Sequence, residues 1–238
     1  MNNKIEMFYK KFPLYIWGYI GIAIISISSF ITAIFYENVI GDRYSLFRYF
    51  ISELGEVGIS KLAFVFNWGL IISGIPMIIF MFGLALRFKT ILGYISSAVG
   101  IFASINYLLV GAFPMDVNME AHIFTAMSFF YGGMAAIILF SLTIFLDKKR
   151  TLPKYVGWLG IGVVGIFASF LFLPLNSMQG GEFSLDPTIS TRPNIWWLAF
   201  FEWLVFFAVL SWIGLVSTVF LVNNKSDNRK KENAKTLE

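Results

Sequence analysis

The amino-acid sequence predicts an all-α integral membrane protein with six transmembrane helices arranged as three hairpins. Of its 238 residues, 58% are hydrophobic and 13% are charged, whereas about a quarter of the residues are charged in an ordinary soluble domain. The apolar residues fall into six runs, each long enough to cross a hydrocarbon layer about 30 Å thick. Lysine and arginine are concentrated in alternate connections between these runs, as the positive-inside rule requires. Residues 1–222 therefore form a single transmembrane domain.

Composition also removes several classes of function. The chain has no cysteine, which excludes disulfides, thiolate nucleophiles and cysteine-based metal or iron–sulfur sites. It contains no HExxH, GxSxG, P-loop or EF-hand pattern. The net charge of +4 reflects membrane topology rather than an anionic partner, so we expect no binding to nucleic acid.

The first apolar run, at about 14–36, follows a polar start that contains three lysines. It is longer than the hydrophobic region of a signal peptide, and we expect it to remain as a helix. In the loop that follows, residues 37–60, apolar side chains at 46, 47, 50, 51 and 54 recur with helical spacing. This pattern predicts a short interfacial helix in the first external loop, ended by Gly55.

Five further apolar runs predict the remaining spans, at about 62–86, 91–113, 121–146, 155–175 and 195–222. The connections between them are short, except for residues 176–194. From residue 223 to 238 the chain is rich in charged residues, and we expect a disordered cytoplasmic tail.

The distribution of positive charge predicts the orientation. Fourteen of the 18 Lys and Arg residues lie at the amino terminus, in the second and fourth connections and in the tail. These regions are therefore predicted to be cytoplasmic, with both termini inside. The loops at 37–60, 114–120 and 176–194 are then external, and the predicted location is the plasma membrane of the cell.

A hexapeptide, VGIFAS, occurs at residues 99–104 in the third span and again at 164–169 in the fifth. The two spans run in the same direction, so the repetition favours three helical hairpins related as parallel pseudo-repeats. Chance similarity between glycine- and alanine-rich membrane helices is the alternative.

The most informative stretch is residues 111–122, an acidic turn that ends in His122, the only histidine. The fourth span then carries Thr125, Gly132 and Ala136 in steps of three and four from His122, which predicts that this face points into the bundle. The simplest role for Asp116 is to cap this helix through its free amide hydrogens. The alternative is that Asp116 joins a functional site.

Four polar side chains lie at a similar predicted depth near the external ends of different spans: Asn67, Asn106, His122 and Glu202. Polar and ionisable groups inside a membrane are costly, and they usually face an interior or a water-filled cavity. We therefore expect a shared polar cavity, bordered by Asn67 and Asn106, in which Asp116 approaches His122 and Glu202. The alternative for His122 and Glu202 is a structural hydrogen bond between neighbouring helices.

The resulting candidate site has two parts. The candidate catalytic residues are His122, Asp116, Glu202 and Glu53. The candidate ligand-binding residues are Asn67, Asn106, Ser52, Arg48 and Arg192, the two arginines being suited to hold a phosphate. We assign no metal site, although one histidine and several carboxylates would suit a metal ion. Haem would need a second axial ligand from a methionine or from another protomer, and the cofactor is left open.

Three segments resemble a known family: SELG at residues 52–55, FNWGL at 66–70, and GAFPMD at 111–116 followed by His122. Together they are similar to domain-of-unknown-function family 998, a family of prokaryotic multi-pass membrane proteins. The resemblance covers roughly residues 14–220. It implies the multi-pass architecture and supports the choice of residues, but it implies no activity.

The features favour a protein that binds or processes a lipid or lipid-like headgroup at the outer leaflet, with membrane lipid as its partner. A transporter or proton relay built on Glu202 and His122 is one alternative. A scaffold or subunit without chemistry of its own is another. The sequence does not decide whether the protein is an enzyme.

Orientation can be tested directly because the chain lacks cysteine. Single substitutions Asn118→Cys and Ser226→Cys should label with a membrane-impermeant maleimide from opposite sides of the membrane. Labelling of both positions from the same side would contradict the predicted topology.

Overall fold

The computed structural model describes residues 3–173 and 192–235, and within them the chain is helical with no β-strand. Six helices are long and apolar enough to span a membrane, which confirms the predicted all-α fold with six spans. The helices are α1 (Asn3–Lys11), α2 (Leu14–Phe35), α3 (Ala63–Phe88), α4 (Ile91–Ala112), α5 (Met119–Leu146), α6 (Lys154–Phe172) and α7 (Trp197–Lys235), with a 3₁₀ helix at Ile51–Gly55.

The six long helices, α2 to α7, form a closed ring. Each packs against the next along the chain, and α7 closes the ring by packing against α2. The three predicted hairpins are thus also in contact with one another. Because consecutive helices alternate in direction, α3, α5 and α7 begin at the same end of the ring. We call this the site end, and the opposite end, where α7 continues into its charged segment, the tail end.

Helix boundaries follow local capping. The Thr90 side chain accepts a hydrogen bond from Gly93 N at 3.0 Å and starts α4. Asn118 accepts from Ala121 N at 3.1 Å and starts α5. The prediction that Asp116 caps α5 is therefore wrong. Asn118 stands directly before the first turn of α5, in the position from which a side chain reaches the free amides.

Small side chains let α3, α4 and α5 approach closely, as membrane helices require in the absence of a hydrophobic drive. Gly100 on α4 lies against Met81, and Ser96 Oγ is 3.0 Å from Thr143 Oγ1. The second copy of the hexapeptide is placed differently. Gly165 on α6 faces open space and Ser169 is not buried, so the two copies share a sequence but not an environment.

Helices lie near both ends of the described chain. The amino-terminal segment forms α1, and Tyr9 Oη donates to Ile79 O of α3 at 2.7 Å. Residues from 223 onward were expected to be disordered, whereas α7 continues through them to Lys235. Of the predicted external loop at 176–194, residues 176–191 lie outside the described residues, as do the last two residues of the predicted fifth span.

Residues 36–62, which we call the cap, lie across the site end. The short helix predicted here is present over Ile51–Gly55, although it is shorter than the apolar pattern suggested. It packs against α2, α3 and α7. Leu54 is fully buried in a cluster with aromatic side chains, which include Tyr36, Tyr49 and Trp203. The cap is therefore packed into the end of the ring on its inner side.

Candidate functional site

A narrow cavity of about 130 Å³ runs along the inside of the ring from the site end. All six long helices and the 3₁₀ helix contribute to its wall. On α5 the lining extends from His122 to Phe140, which at 1.5 Å per residue is about 27 Å. The cavity thus extends through most of the depth of the bundle.

The polarity of the wall is confined to one end. Ser52, His122 and Glu202 line the site end of the cavity, which we call its mouth, and Ser104 and Tyr107 lie just below them. These two have partners, since Tyr107 Oη is 2.8 Å from Ser73 Oγ and Ser104 Oγ donates to Gly100 O at 2.8 Å. The other described lining residues are apolar or glycine. The cavity therefore has a polar mouth and an apolar interior.

Glu202 lies in the second turn of α7 and is 7% exposed. Its Oε2 accepts a hydrogen bond from Ile51 N at 2.8 Å. That amide is at the start of the 3₁₀ helix and has no intrahelical partner. Next to it, Trp203 Nε1 donates to Tyr44 Oη of the cap at 2.9 Å. Glu202 therefore joins the cap to α7 while its carboxylate also forms part of the cavity mouth.

His122, in the first turn of α5, is held by the end of α4. Its Nδ1 is 2.9 Å from Phe113 O, and because a carbonyl oxygen can only accept, Nδ1 carries the hydrogen. In the neutral imidazole this leaves Nε2 with a free lone pair. No residue in the described ranges forms a hydrogen bond with Nε2. His122 thus offers an acceptor at the cavity mouth.

The two asparagines have structural partners and do not line the cavity. Asn67 Nδ2 donates to Gly55 O at 2.9 Å, which joins α3 to the cap. A Cβ atom at position 55 would collide with Asn67 Oδ1, so glycine permits this approach. Asn106 Nδ2 donates to Phe102 O of its own helix at 3.0 Å. Asn67 and Asn106 were expected to border the cavity, but their side chains instead form hydrogen bonds that stabilise the fold.

Asp116 is exposed and lies outside the cavity lining. Its Oδ2 accepts from Gly58 N of the cap at 2.8 Å. Asp116 was expected to converge with His122 and Glu202 at the cavity. The structure places His122 and Glu202 at the mouth, whereas the Asp116 carboxylate pairs with a backbone amide of the cap and lies near enough for its charge to act on the His122 ring.

Glu53 and Arg192 form a buried ion pair beside the mouth. Arg192 Nη1 is 2.8 Å from Glu53 Oε2, and the two side chains are 7% and 2% exposed. Phe50 N donates to Glu53 Oε1 at 2.8 Å. Burial raises the pKa of the Glu53 carboxyl, while the Arg192 charge and the Phe50 amide act in the opposite direction.

The guanidinium of Arg192 also lies over the ring of Tyr49, 4.5 Å from its centre. Arg48 contributes its carbonyl oxygen to Arg192 at 3.3 Å, and its own guanidinium lies 3.5 Å from Asp42. Both arginines were expected to be free to hold a phosphate. Neither lines the cavity, since each is paired with a carboxylate of the cap.

Glu56 is a buried carboxyl of the cap that the sequence reasoning missed, although it does not line the cavity. It is 6% exposed, and its Oε2 has no hydrogen-bond partner in the described part of the chain. Burial raises its pKa to about 8, and the charges of Glu53 and Asp116 act in the same direction. The signal was its spacing: residues three apart eclipse each other in a 3₁₀ helix, so a buried Glu53 brings Glu56 to the same side.

Comparison with known families decides where the chain belongs. Residues 24–219 match the model of the family described as "Protein of unknown function (DUF998)". The chain belongs to the DUF998 family. No curated protein and no solved structure matches it. The protein is therefore a multi-pass membrane protein of a family without an assigned activity, and its function has to be inferred from the site itself.

The described ranges of this DUF998 protein contain no group of three or more His, Asp or Glu side chains arranged to hold a metal ion. At the mouth, Ser52 is the one other polar residue of the described lining besides His122 and Glu202. The chemistry that the mouth offers is therefore hydrogen bonding and proton acceptance by two side chains.

The buried ion pair of this DUF998 protein gives a stability prediction. Arg192→Met should lower the free energy of unfolding by about 3–5 kcal/mol, because it leaves the Glu53 carboxylate buried without a positive charge to pair with. The double variant Arg192→Met with Glu53→Gln should recover most of that loss. Arg43→Met, at an exposed position, is the matched control. Thermal unfolding in detergent measures all four proteins, and a double variant no more stable than the single one would contradict the pairing.

Glu56 gives a pH prediction. Its folded pKa of about 8 exceeds the unfolded value of about 4.3, so the folded state holds an extra proton between these values. Stability should therefore fall as the pH rises through this window, and the contribution from the Glu56 proton should be fully lost above about pH 8. Glu56→Gln should reduce this fall in melting temperature between pH 6 and pH 9. Equal pH profiles for the variant and the wild type would show that Glu56 is not buried.

Proposed function

We propose that the protein binds a single-chain amphiphile, with the polar end at the cavity mouth and the hydrocarbon chain in the apolar interior. The observation that supports this most is the confinement of polar lining to one end of the cavity. A site of this polarity matches a molecule that is itself polar at one end only. This is a narrower form of the lipid-binding role predicted from the sequence.

The interior suits hydrocarbon better than water. Its described lining below Ser104 offers aliphatic, aromatic and methionine side chains, and apolar cavities of this kind stay dry and take up apolar guests. Each methylene group moved from water into such a wall is stabilised by about 0.8 kcal/mol. Met77 and Met81 are flexible enough to adjust to the shape of a chain.

Cavity size favours a single chain. An apolar cavity of about 150 Å³ takes up benzene, a guest of six carbon atoms, so a cavity of about 130 Å³ accommodates a chain segment of on the order of six methylene groups. Two acyl chains of a phospholipid would need more room and a wider mouth. The occupant is therefore a slender molecule, or one chain of a larger lipid.

The site end faces the outside of the cell in this proposal. The support is the excess of Lys and Arg on the connections at the tail end. An amphiphile would then enter from the outer leaflet or from the external medium.

The same mouth groups support catalysis less directly. The free lone pair of His122 Nε2 and the Glu202 carboxylate would suit a general base acting on a bound head group. A proton relay receives less support, because the described lining below Tyr107 contains no titratable side chain that would continue a path towards the tail end.

Cavity filling tests the binding proposal. Ala126 lines the cavity one turn below His122, so Ala126→Phe should block the chain just inside the mouth and lower amphiphile binding by at least about tenfold, equivalent to 1.4 kcal/mol. Ala98→Phe makes the same change at an exposed position on α4 and should leave binding unchanged. Binding is measured in lipid nanodiscs by equilibrium dialysis of tritiated decyl amphiphiles.

Several head groups are used in this test: 1-decanol, decylamine, decanoate and decyl phosphate. Protein-free nanodiscs give the background partition into lipid. If none of the four probes binds above that background, or if Ala126→Phe binds as well as the wild type, the proposed function is wrong.

A further inference from the structure

We infer that the head group of the amphiphile donates hydrogen bonds and carries no negative charge, which is the chemistry of a long-chain alcohol or amine. This inference rests on the proposed function and specifies its ligand class. It departs from the expectation that a phosphate is held by Arg48 and Arg192.

The first step is the acceptor capacity of the mouth. The two oxygens of a carboxyl group offer up to about four acceptor positions, and on Glu202 the backbone amides of Ile51 and Ser52 occupy part of them. His122 Nε2 adds a further acceptor, because Nδ1 is committed to Phe113 O. Glu202 and His122 therefore both present acceptor positions that a donor on the ligand can fill, while the Ser52 hydroxyl can donate or accept.

The second step is the position of positive charge. Four Lys and Arg residues occur near the site end in the described ranges: Arg43, Arg48, Lys61 and Arg192. None of them lines the cavity. Lys61 pairs with Glu37, Arg48 with Asp42 and Arg192 with Glu53, while Arg43 is exposed.

The third step is the cost of an anion in this setting. A phosphate or carboxylate at the mouth would lose its hydration beside the buried Glu202 carboxyl group, and no Lys or Arg of the described residues lines the cavity to offset that loss. A hydroxyl or an ammonium group would instead satisfy acceptors that are otherwise unpaired. Sites built from such buried acceptors discriminate strongly against ligands that lack the matching donor.

The fourth step separates alcohol from amine. An ammonium group would gain from the charge of Glu202, whereas a hydroxyl group needs only an acceptor. Glu202→Gln removes the charge but keeps a carbonyl oxygen that can accept from Ile51 N, so the cap should remain attached. Glu120→Gln is the matched control, since Glu120 is exposed on the first turn of α5.

The experiment ranks four probes that differ only in the head group, namely 1-decanol, decylamine, decanoate and decyl phosphate, on the wild-type chain in nanodiscs. We expect 1-decanol or decylamine to bind at least about tenfold more tightly than both anions. In Glu202→Gln, a loss of about tenfold for decylamine with less than about threefold for 1-decanol would assign the site to amines. Small and equal losses for both probes would assign it to alcohols.

The inference and the proposed function fail in different ways. If decanoate or decyl phosphate binds as tightly as 1-decanol and decylamine, and Ala126→Phe abolishes that binding, the head-group inference is overturned while amphiphile binding stands. If no probe binds above the background, the proposed function fails and the inference fails with it. The ranking on the wild-type chain does not depend on the folding of Glu202→Gln.

Discussion

The hydrogen bond from Ile51 N to the Glu202 carboxylate is the interaction on which the arrangement of the site end depends. A 3₁₀ helix that starts inside an apolar environment leaves amide hydrogens without partners, and unpaired buried groups are costly. Glu202 supplies the partner from α7. The same contact places Ile51 and Ser52 over the cavity and keeps a carboxylate at its mouth.

Other cap groups obey the same constraint. Asn67 pairs with Gly55 O, Asp116 pairs with Gly58 N, and Arg192 joins Glu53 to the carbonyl oxygen of Arg48. Each contact satisfies a polar group of the cap with a side chain from another part of the chain. Most of the polar residues near the site end are used in this way. Among the described residues, His122 and Glu202 are the two ionisable side chains that line the cavity at its mouth, and Tyr107 lies just below them.

Much of the fold could be predicted from the sequence because the bilayer imposes a simple rule. A span must be long, apolar and internally hydrogen-bonded, so the boundaries of the six helices could be placed to within a few residues, except for the end of α7, which continues to Lys235. The same cost argument singled out His122 and Glu202, which do line the cavity. The predicted end of α7, near residue 222, marks where the apolar run stops. Hydropathy indicates which residues can lie in the membrane and does not show where a helix ends.

The hydrogen-bond partners of the polar residues could not be predicted from the sequence. Three polar residues stand out in this apolar chain, namely Asp116, Asn106 and Arg192. Composition does not reveal which group of the protein each of them pairs with. Asn106 bonds to a carbonyl of its own helix, whereas Arg192 bonds to Glu53 of the cap, which depends on tertiary packing. Glu56 was missed because the cap was predicted to lie on the bilayer, where its carboxylate would be solvated.

An experimental structure of the purified protein in lipid nanodiscs tests the central claim most directly, since that claim is a statement about what fills the ring. We expect elongated density along the cavity, with its polar end at a hydrogen-bonding distance of about 2.6–3.2 Å from Glu202 and His122 Nε2. A cavity closed by its own side chains or filled with ordered water would contradict amphiphile binding. Density with its polar end towards the tail end would contradict the assigned orientation of the ligand.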